Sequence, residues 1–320
     1  MAPIIDSHIH LNPSSALPTL PWRDPSHPLH REHSVSDYNS ATGSPSSLSG
    51  FILIEADHSS NDDPNSWTPH LQEVSFMSTI ANNNPSCLAL IPWAPLPEGA
   101  AKLEEYLTAA EKEVGTQAWK KVRGFRFLLQ DQPAGTGTSE GFVEALKVLG
   151  KKGYVFEVGI NQHRKGKRQL EEVWEMISRV QEGVEEGERV KFVLNLTILN
   201  QADPSFLAWR EAMFTLSKCP QTYIKLSGCF SELPEKLRQR PAEDIVSAIL
   251  PWLAVLLAAW GPKRIMFGSD WPVCTVGVGN DEAWKKWHRV VELVCDFAGL
   301  SVEDQERIWS GTAKEAYGLE

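Results

Sequence analysis

Cysteine is scarce and unpatterned in this chain. Cys87, Cys219, Cys229, Cys274 and Cys295 are odd in number and scattered, with no Cys-x-x-Cys. That excludes a zinc knuckle and a disulfide framework, and it places reduced thiols in a cytoplasmic protein. No Gly-x-Gly-x-x-Gly follows the first apolar run, which counts against a doubly wound dinucleotide-binding sheet. No basic segment leading into an apolar one opens the chain, because Met1 runs almost directly into Ile4-Ile5. The most apolar later stretch, Ile245 to Trp260, is interrupted by Pro251 and short for a membrane span. It reads as a buried helix of a soluble protein. Positive charge is also in deficit, with a net charge of -10. A general nucleic-acid or anionic-membrane binder is thereby disfavoured, although local arginines still leave room for an anionic substrate.

What is present is ample core material. The chain has 320 residues, 42% of them hydrophobic, enough for one barrel or two smaller domains. Short apolar runs alternate with helical patterns, and no linker divides them. Strands are predicted at Gly50–Ile54, Cys87–Trp93, Val122–Phe127, Tyr154–Val158, Val190–Asn195, Thr222–Leu226 and Ile265–Phe267, after a first at Ile4–Ile5. Helices are predicted over Trp67–Asn82, Ala100–Val114, Ser139–Gly150 (with Ser139 as N-cap), Leu170–Gln181, Glu243–Trp260, Asp281–Ala298 and Val302–Tyr317. About eight such repeats in this length indicate the α/β class and a (β/α)8 barrel.

The first strand runs straight into chemistry, as Ile4-Ile5-Asp6-Ser7-His8-Ile9-His10. Residues two apart on a strand share a face, so Asp6, His8 and His10 are expected to point the same way. Two neutral imidazoles aimed at one point can begin a metal site. The plainer alternative is a set of polar residues at a strand end, bonded to backbone. Residues 11–49 follow, rich in Pro, Ser, Asn and His, and without a period. A loop this long at the functional end of a strand reads as a lid or pocket wall. Its His27, His30 and His33 read as solvated.

Other candidates come from strand ends. His58, beyond the second strand, is a candidate substrate contact or a structural hydrogen-bond partner. Arg126 is expected to face inward and meet a carboxylate or a substrate oxygen. Glu157 is expected to pair with an arginine or to serve the site. His163 lies in a charge run that reads as a solvated face. Asp270 follows the last strand, which in a closed barrel neighbours the first, so it should converge with His8 and His10 at the C-terminal mouth.

Asp6-x-His8-x-His10 resembles the opening of the amidohydrolase superfamily. Arg264-Ile265-Met266-Phe267-Gly268-Ser269-Asp270-Trp271-Pro272 resembles the end of the last barrel strand in its amidohydrolase-2 branch, the group containing sugar-lactone hydrolases. Gly124-Phe125-Arg126-Phe127, Lys225-Leu226-Ser227-Gly228, Gly311-Thr312-Ala313 and Tyr317-Gly318-Leu319 fit the same pattern in order. The resemblance spans the chain and implies one TIM-barrel domain over residues 1–320. In that family the sixth strand typically ends in Asp-His, a metal ligand or substrate contact; here Asn195-Leu196 stands there. No histidine lies between His163 and His288.

The chemistry expected is water attack on a carbonyl with Asp270 as general base. One divalent cation, zinc foremost, held by His8, His10 and Asp270, would polarise the carbonyl. Without metal, the histidines and Arg126 would supply the oxyanion donors, so the metal requirement stays open. Arg126, His58, Glu157 and Asn195 are the expected substrate contacts. A small cyclic ester suits this equipment, and the resemblance implies hydrolysis of a sugar-acid lactone. Metal-dependent decarboxylation, seen in some relatives, and a non-catalytic binding barrel are the alternatives. The expected partner is a small molecule, not nucleic acid or membrane, with self-association left open.

Overall fold

The structure, a computed structural model, describes residues 2–59, 66–160, 166–195 and 205–320. Eight parallel strands carry it: β1 (Ile4–Ile9), β2 (Leu48–Ile54), β3 (Cys87–Ile91), β4 (Gly124–Leu128), β5 (Val155–Gly159), β6 (Lys191–Asn195), β7 (Thr222–Leu226) and β8 (Ile265–Phe267). β1–β3 form one continuous ladder and β4–β8 another. Bridges Leu90–Val122 and Trp93–Arg126 join β3 to β4, and Ile9–Trp271 joins the end of β8 to β1. The ring is thus closed, as the alternating pattern predicts.

Strand alternation divides the core in two. Ile5, Ile52, Ala89, Val155, Val193 and Met266 fill the barrel interior, while Phe51, Phe125, Phe156, Phe192 and Phe267 pack outward beneath the helices. The helices bury one stripe each. In Lys167–Gln181, Leu170, Val173, Ile177 and Val180 recur at helical spacing and are buried. Ser139 caps Glu140–Lys151 by accepting from the Phe142 N–H, as predicted.

The helix expected at Glu243–Trp260 forms as Ala242–Trp260 and runs through Pro251. It is long and apolar enough to cross a membrane by length and composition, but nine of its residues are buried in the core. That packing outweighs the roughly 3 kcal/mol cost of an internal proline. The closing helix is three pieces, Val302–Glu306, a π turn at Arg307–Gly311, and Thr312–Tyr317. The last piece plugs the barrel floor, with Ala313, Ala316 and Tyr317 among the interior residues. Helix Ser205–Leu216, which no prediction named, lies in the connection from β6 to β7 and packs between helices Lys167–Gln181 and Ala242–Trp260.

Candidate active site

The seam between β8 and β1 builds the centre. The Asp270 N–H donates to the His8 carbonyl (2.8 Å), and the His10 N–H donates to the Trp271 carbonyl (2.7 Å). His8, His10 and Asp270 therefore meet at the C-terminal mouth, as the sequence predicts. Asp270 Oδ1 lies 3.5 Å from His8 Nε2 and 3.4 Å from His10 Nε2, and the two Nε2 atoms are 3.1 Å apart. The glycines of the flanking motifs are explained by this crowding. A Cβ on Gly268 would stand 3.0 Å from His8 Cβ, and one on Gly228, at φ +69°, would stand 3.3 Å from Asp270 Oδ2. Asp270 itself holds a left-handed φ of 60°, a strained setting for a non-glycine residue.

Asp6 does not join them. A register shift between Asp6 and Ile9 breaks the simple alternation. The Asp6 carboxylate instead accepts from Tyr38 Oη (2.9 Å), Trp284 Nε1 (2.9 Å) and the Ser269 N–H (2.8 Å). It fastens the end of β8 to β1 from behind the site.

Two buried ion pairs hold the histidines. His10 Nδ1 donates to the Glu55 carbonyl (2.8 Å), leaving Nε2 with its lone pair toward the centre. Arg126 Nε donates to Glu55 Oε1, and its Nη2 to the Glu55 carbonyl (2.9 Å). The expected carboxylate partner of Arg126 is thus Glu55. Glu157 corrects the expectation of an arginine partner. It pairs with Lys225, whose Nζ lies 2.8 and 2.9 Å from its two oxygens. The same Nζ is 3.1 Å from His8 Nδ1, and Tyr317 Oη donates to Glu157 Oε1 at 2.6 Å. Burial, with Lys225 beside it, pushes the His8 pKa well below its ordinary value. Burial likewise pulls Lys225 down to about 8, against the opposing pull of Glu157.

These groups open onto a cavity of about 490 Å3. His8, His10, Arg126, Asn195 and Asp270 line it; Glu157 and His58 do not. His58 is tied into the wall, with Nδ1 2.7 Å from Thr19 Oγ1 and Nε2 3.4 Å from Glu73 Oε1. Asn195 Oδ1 is buried and lacks a donor among the described residues. The sixth-strand Leu196, like His163, lies outside the described residues.

The early segment is a built wall. It carries a 3-10 turn at Ser14–Thr19 and a helix at Val35–Thr42. Trp22, His27 and Leu29 face the cavity. The solvated reading of His33 is overturned, because that ring is buried. It bonds Asn12 Oδ1 at 2.9 Å and packs edge-on to Trp271. Burial holds it neutral, with a pKa lowered to about 4.

Sequence reasoning missed Lys225 and Arg238, and it placed Asp57 at the functional end of the second strand without a role. Lys225 stands in a quoted motif, two residues from the inward Tyr223, and that spacing signals an inward side chain. Asp57 and Arg238 line the cavity from loops without a period to reveal them.

The donor set suits a divalent cation. The three ligand atoms lie within 4.8 Å of one another, and three protein ligands plus an open position is the usual form of a catalytic zinc site. His8, His10 and Asp270 would hold such a cation, which would supply Lewis-acid polarisation at the cavity.

Comparison with known proteins gives the same assignment. The amidohydrolase family model matches residues 188–319. The chain is 30% identical to the L-rhamnono-gamma-lactonase of Scheffersomyces stipitis, over 99% of this chain and 98% of that one. It is 28% identical to an L-fucono-1,5-lactonase of Burkholderia multivorans, over 77% of each. A zinc-bound amidohydrolase structure from Burkholderia multivorans superposes with a TM-score of 0.78, at 26% identity and full coverage of both chains. Closed barrel, seam-built His–His–Asp centre and full-length similarity agree: the chain belongs to the amidohydrolase family.

Proposed function

We propose that this protein hydrolyses a sugar-acid lactone, with Asp270 as the general base. The observation that carries this reading is the convergence of Asp270, His8, His10 and Arg126 on one cavity. Asp270 takes a proton from water as the water oxygen attacks the lactone carbonyl carbon. The ring C–O bond then breaks, and the proton passes to the departing ring oxygen, giving the hydroxy acid. Arg126 stabilises the oxyanion, at a few kcal/mol for a well-placed donor. A divalent cation held by His8, His10 and Asp270 supplies polarisation of the carbonyl and a lower pKa for water. A lactone needs less help for its leaving group than an amide does, which suits a site with a single carboxylate at its centre.

The substrate class rests on the named relatives and on the cavity wall. Asn195 Oδ1 is an acceptor without a donor among the described residues, and Asp57 adds a carboxyl whose pKa burial raises. Both suit hydroxyl groups of a sugar acid. The free thiols of Cys87, Cys219, Cys274 and Cys295 fit a cytoplasmic setting.

Proton release on a panel of sugar-acid γ- and δ-lactones tests the reading. Turnover is expected, and Asp270→Asn should lower kcat by roughly 10²–10⁴-fold with the melting temperature retained. Chelation should abolish turnover, and zinc should restore it. No release from any lactone would overturn the assignment; near-normal activity in Asp270→Asn would remove Asp270 as the base.

A further inference from the structure

The opposite end of the barrel holds a second cavity, of about 340 Å3, at the starts of β4, β5 and β6. Arg123, Lys152, Arg189 and Lys191 line it, and among the described residues no acidic side chain does. Strand register produces this grouping. Gly124 pairs with Val155 and Val155 with Lys191, so Arg123 and Lys191 flank Tyr154 along one rim of the barrel. Four cations crowd together here in a chain whose net charge is -10.

Some surface cations elsewhere are matched at close range. Lys102, Lys147, Lys167, Arg168, Arg240 and Arg307 each have a carboxylate oxygen within 3.0 Å. Among the described residues, none of the four cavity cations forms an ion pair with a carboxylate. Glu185, Glu186 and Glu188 precede Arg189 on its own loop, yet none of them pairs with it. Lys191 Nζ settles for the Glu315 carbonyl (2.8 Å), and Arg189 Nε for the Val184 carbonyl (3.0 Å). Among the described residues, no acceptor meets the buried Arg123 Nε. Like charges gathered on one rim are unfavourable, and a buried donor without a partner among the described residues adds to that cost.

We propose that this floor cavity binds the phosphoryl dianion of a small molecule. Arginine forks and lysine ammoniums are the groups that recognise phosphoryl oxygens, and a dianion would relieve both costs at once. Gly153 and Gly187 line the same cavity with open space where a side chain would stand, so a ligand can approach the backbone there. The site is separate from the catalytic mouth, since barrel chemistry occupies the C-terminal ends of the strands and this cavity the N-terminal ends.

Isothermal titration of the full chain with inorganic phosphate and with glucose 6-phosphate, against chloride at matched ionic strength, tests this. Saturable binding at one site is expected. It should weaken at least tenfold in Arg123→Gln/Lys152→Gln and also in Arg189→Gln, the second variant guarding against a misfolded first. Arg238→Gln, at the catalytic mouth, should leave it unchanged. Tighter binding of the sugar phosphate names that as the source of the dianion, and equal affinity names free phosphate; both uphold the site. No saturable binding above chloride would overturn it. So would binding that both floor variants leave intact, or binding that Arg238→Gln removes. Lactone turnover in phosphate-free buffer should be the same in the floor variants as in the parent, so a failure here is distinct from a failure of the lactonase reading.

Discussion

Two buried cation–carboxylate pairs stand on either side of the histidines, and they do different work. Glu55–Arg126 links β2 to β4, and Glu157–Lys225 links β5 to β7. Each supports one imidazole, since the Glu55 carbonyl receives His10 Nδ1 and Lys225 contacts His8 Nδ1. Arg126, 6% exposed, also lines the cavity, whereas Lys225 and Glu157 are wholly buried. The arginine fork has donors left over for a ligand once Glu55 is satisfied. The lysine spends its three donors on two carboxylate oxygens and one imidazole. One pair therefore supports a histidine and also faces the cavity, where the proposed function has Arg126 meet the substrate; the other only touches its histidine.

Removing the lysine should break that contrast most severely. Lys225→Met leaves the Glu157 carboxylate buried with Tyr317 Oη as its remaining side-chain donor, and losing one partner of a buried pair costs about 3–5 kcal/mol. Chemical denaturation should show a loss of that size, and kcat should fall because His8 Nδ1 loses its partner. Unchanged stability would mean that the pair is not an ion pair in solution. Arg126→Lys is the milder cut. The charge stays, but the fork that spans Glu55 and the ligand is lost. Losing one charge-assisted hydrogen bond to the ligand, about 1.5–3 kcal/mol, should lower kcat/KM roughly ten- to hundredfold in steady-state kinetics. A variant with parental kcat/KM would confine Arg126 to a structural role.

The same contrast explains what was legible. The strands could be read because parallel barrel strands are buried on both faces and show as short apolar runs. His8, His10 and Asp270 could be read because closure forces the first and last strands together. Arg126 was legible as an inward charge, since alternation from Phe125 and Phe127 fixed its face. Asp6 was misread because a register shift is a property of pairing, invisible along one strand. The His33 reading failed because its burial comes from Asn12 and Trp271, one of them more than two hundred residues away. The Val35–Thr42 helix did carry a local signal, Ser34-x-x-Asp37, whose side chains form a capping box. Lys225 was passed over as a site residue because a lysine in a strand is usually solvated at its tip.

The faintest test reaches the centre from the chain's far end. Tyr317 enters through the barrel floor and donates to Glu157 Oε1, the same oxygen that Lys225 holds at 2.8 Å. Tyr317→Phe keeps the ring and its packing and deletes one donor from a carboxylate that retains two contacts with Lys225. The stability loss should be about 1 kcal/mol, near the net worth of one hydrogen bond. If the Glu157–Lys225 pair positions His8, kcat should fall several-fold while KM stays at the parental value, because no cavity contact is touched. Should stability drop with kcat intact, Tyr317 would be only a floor residue, and the positioning role would end at Lys225.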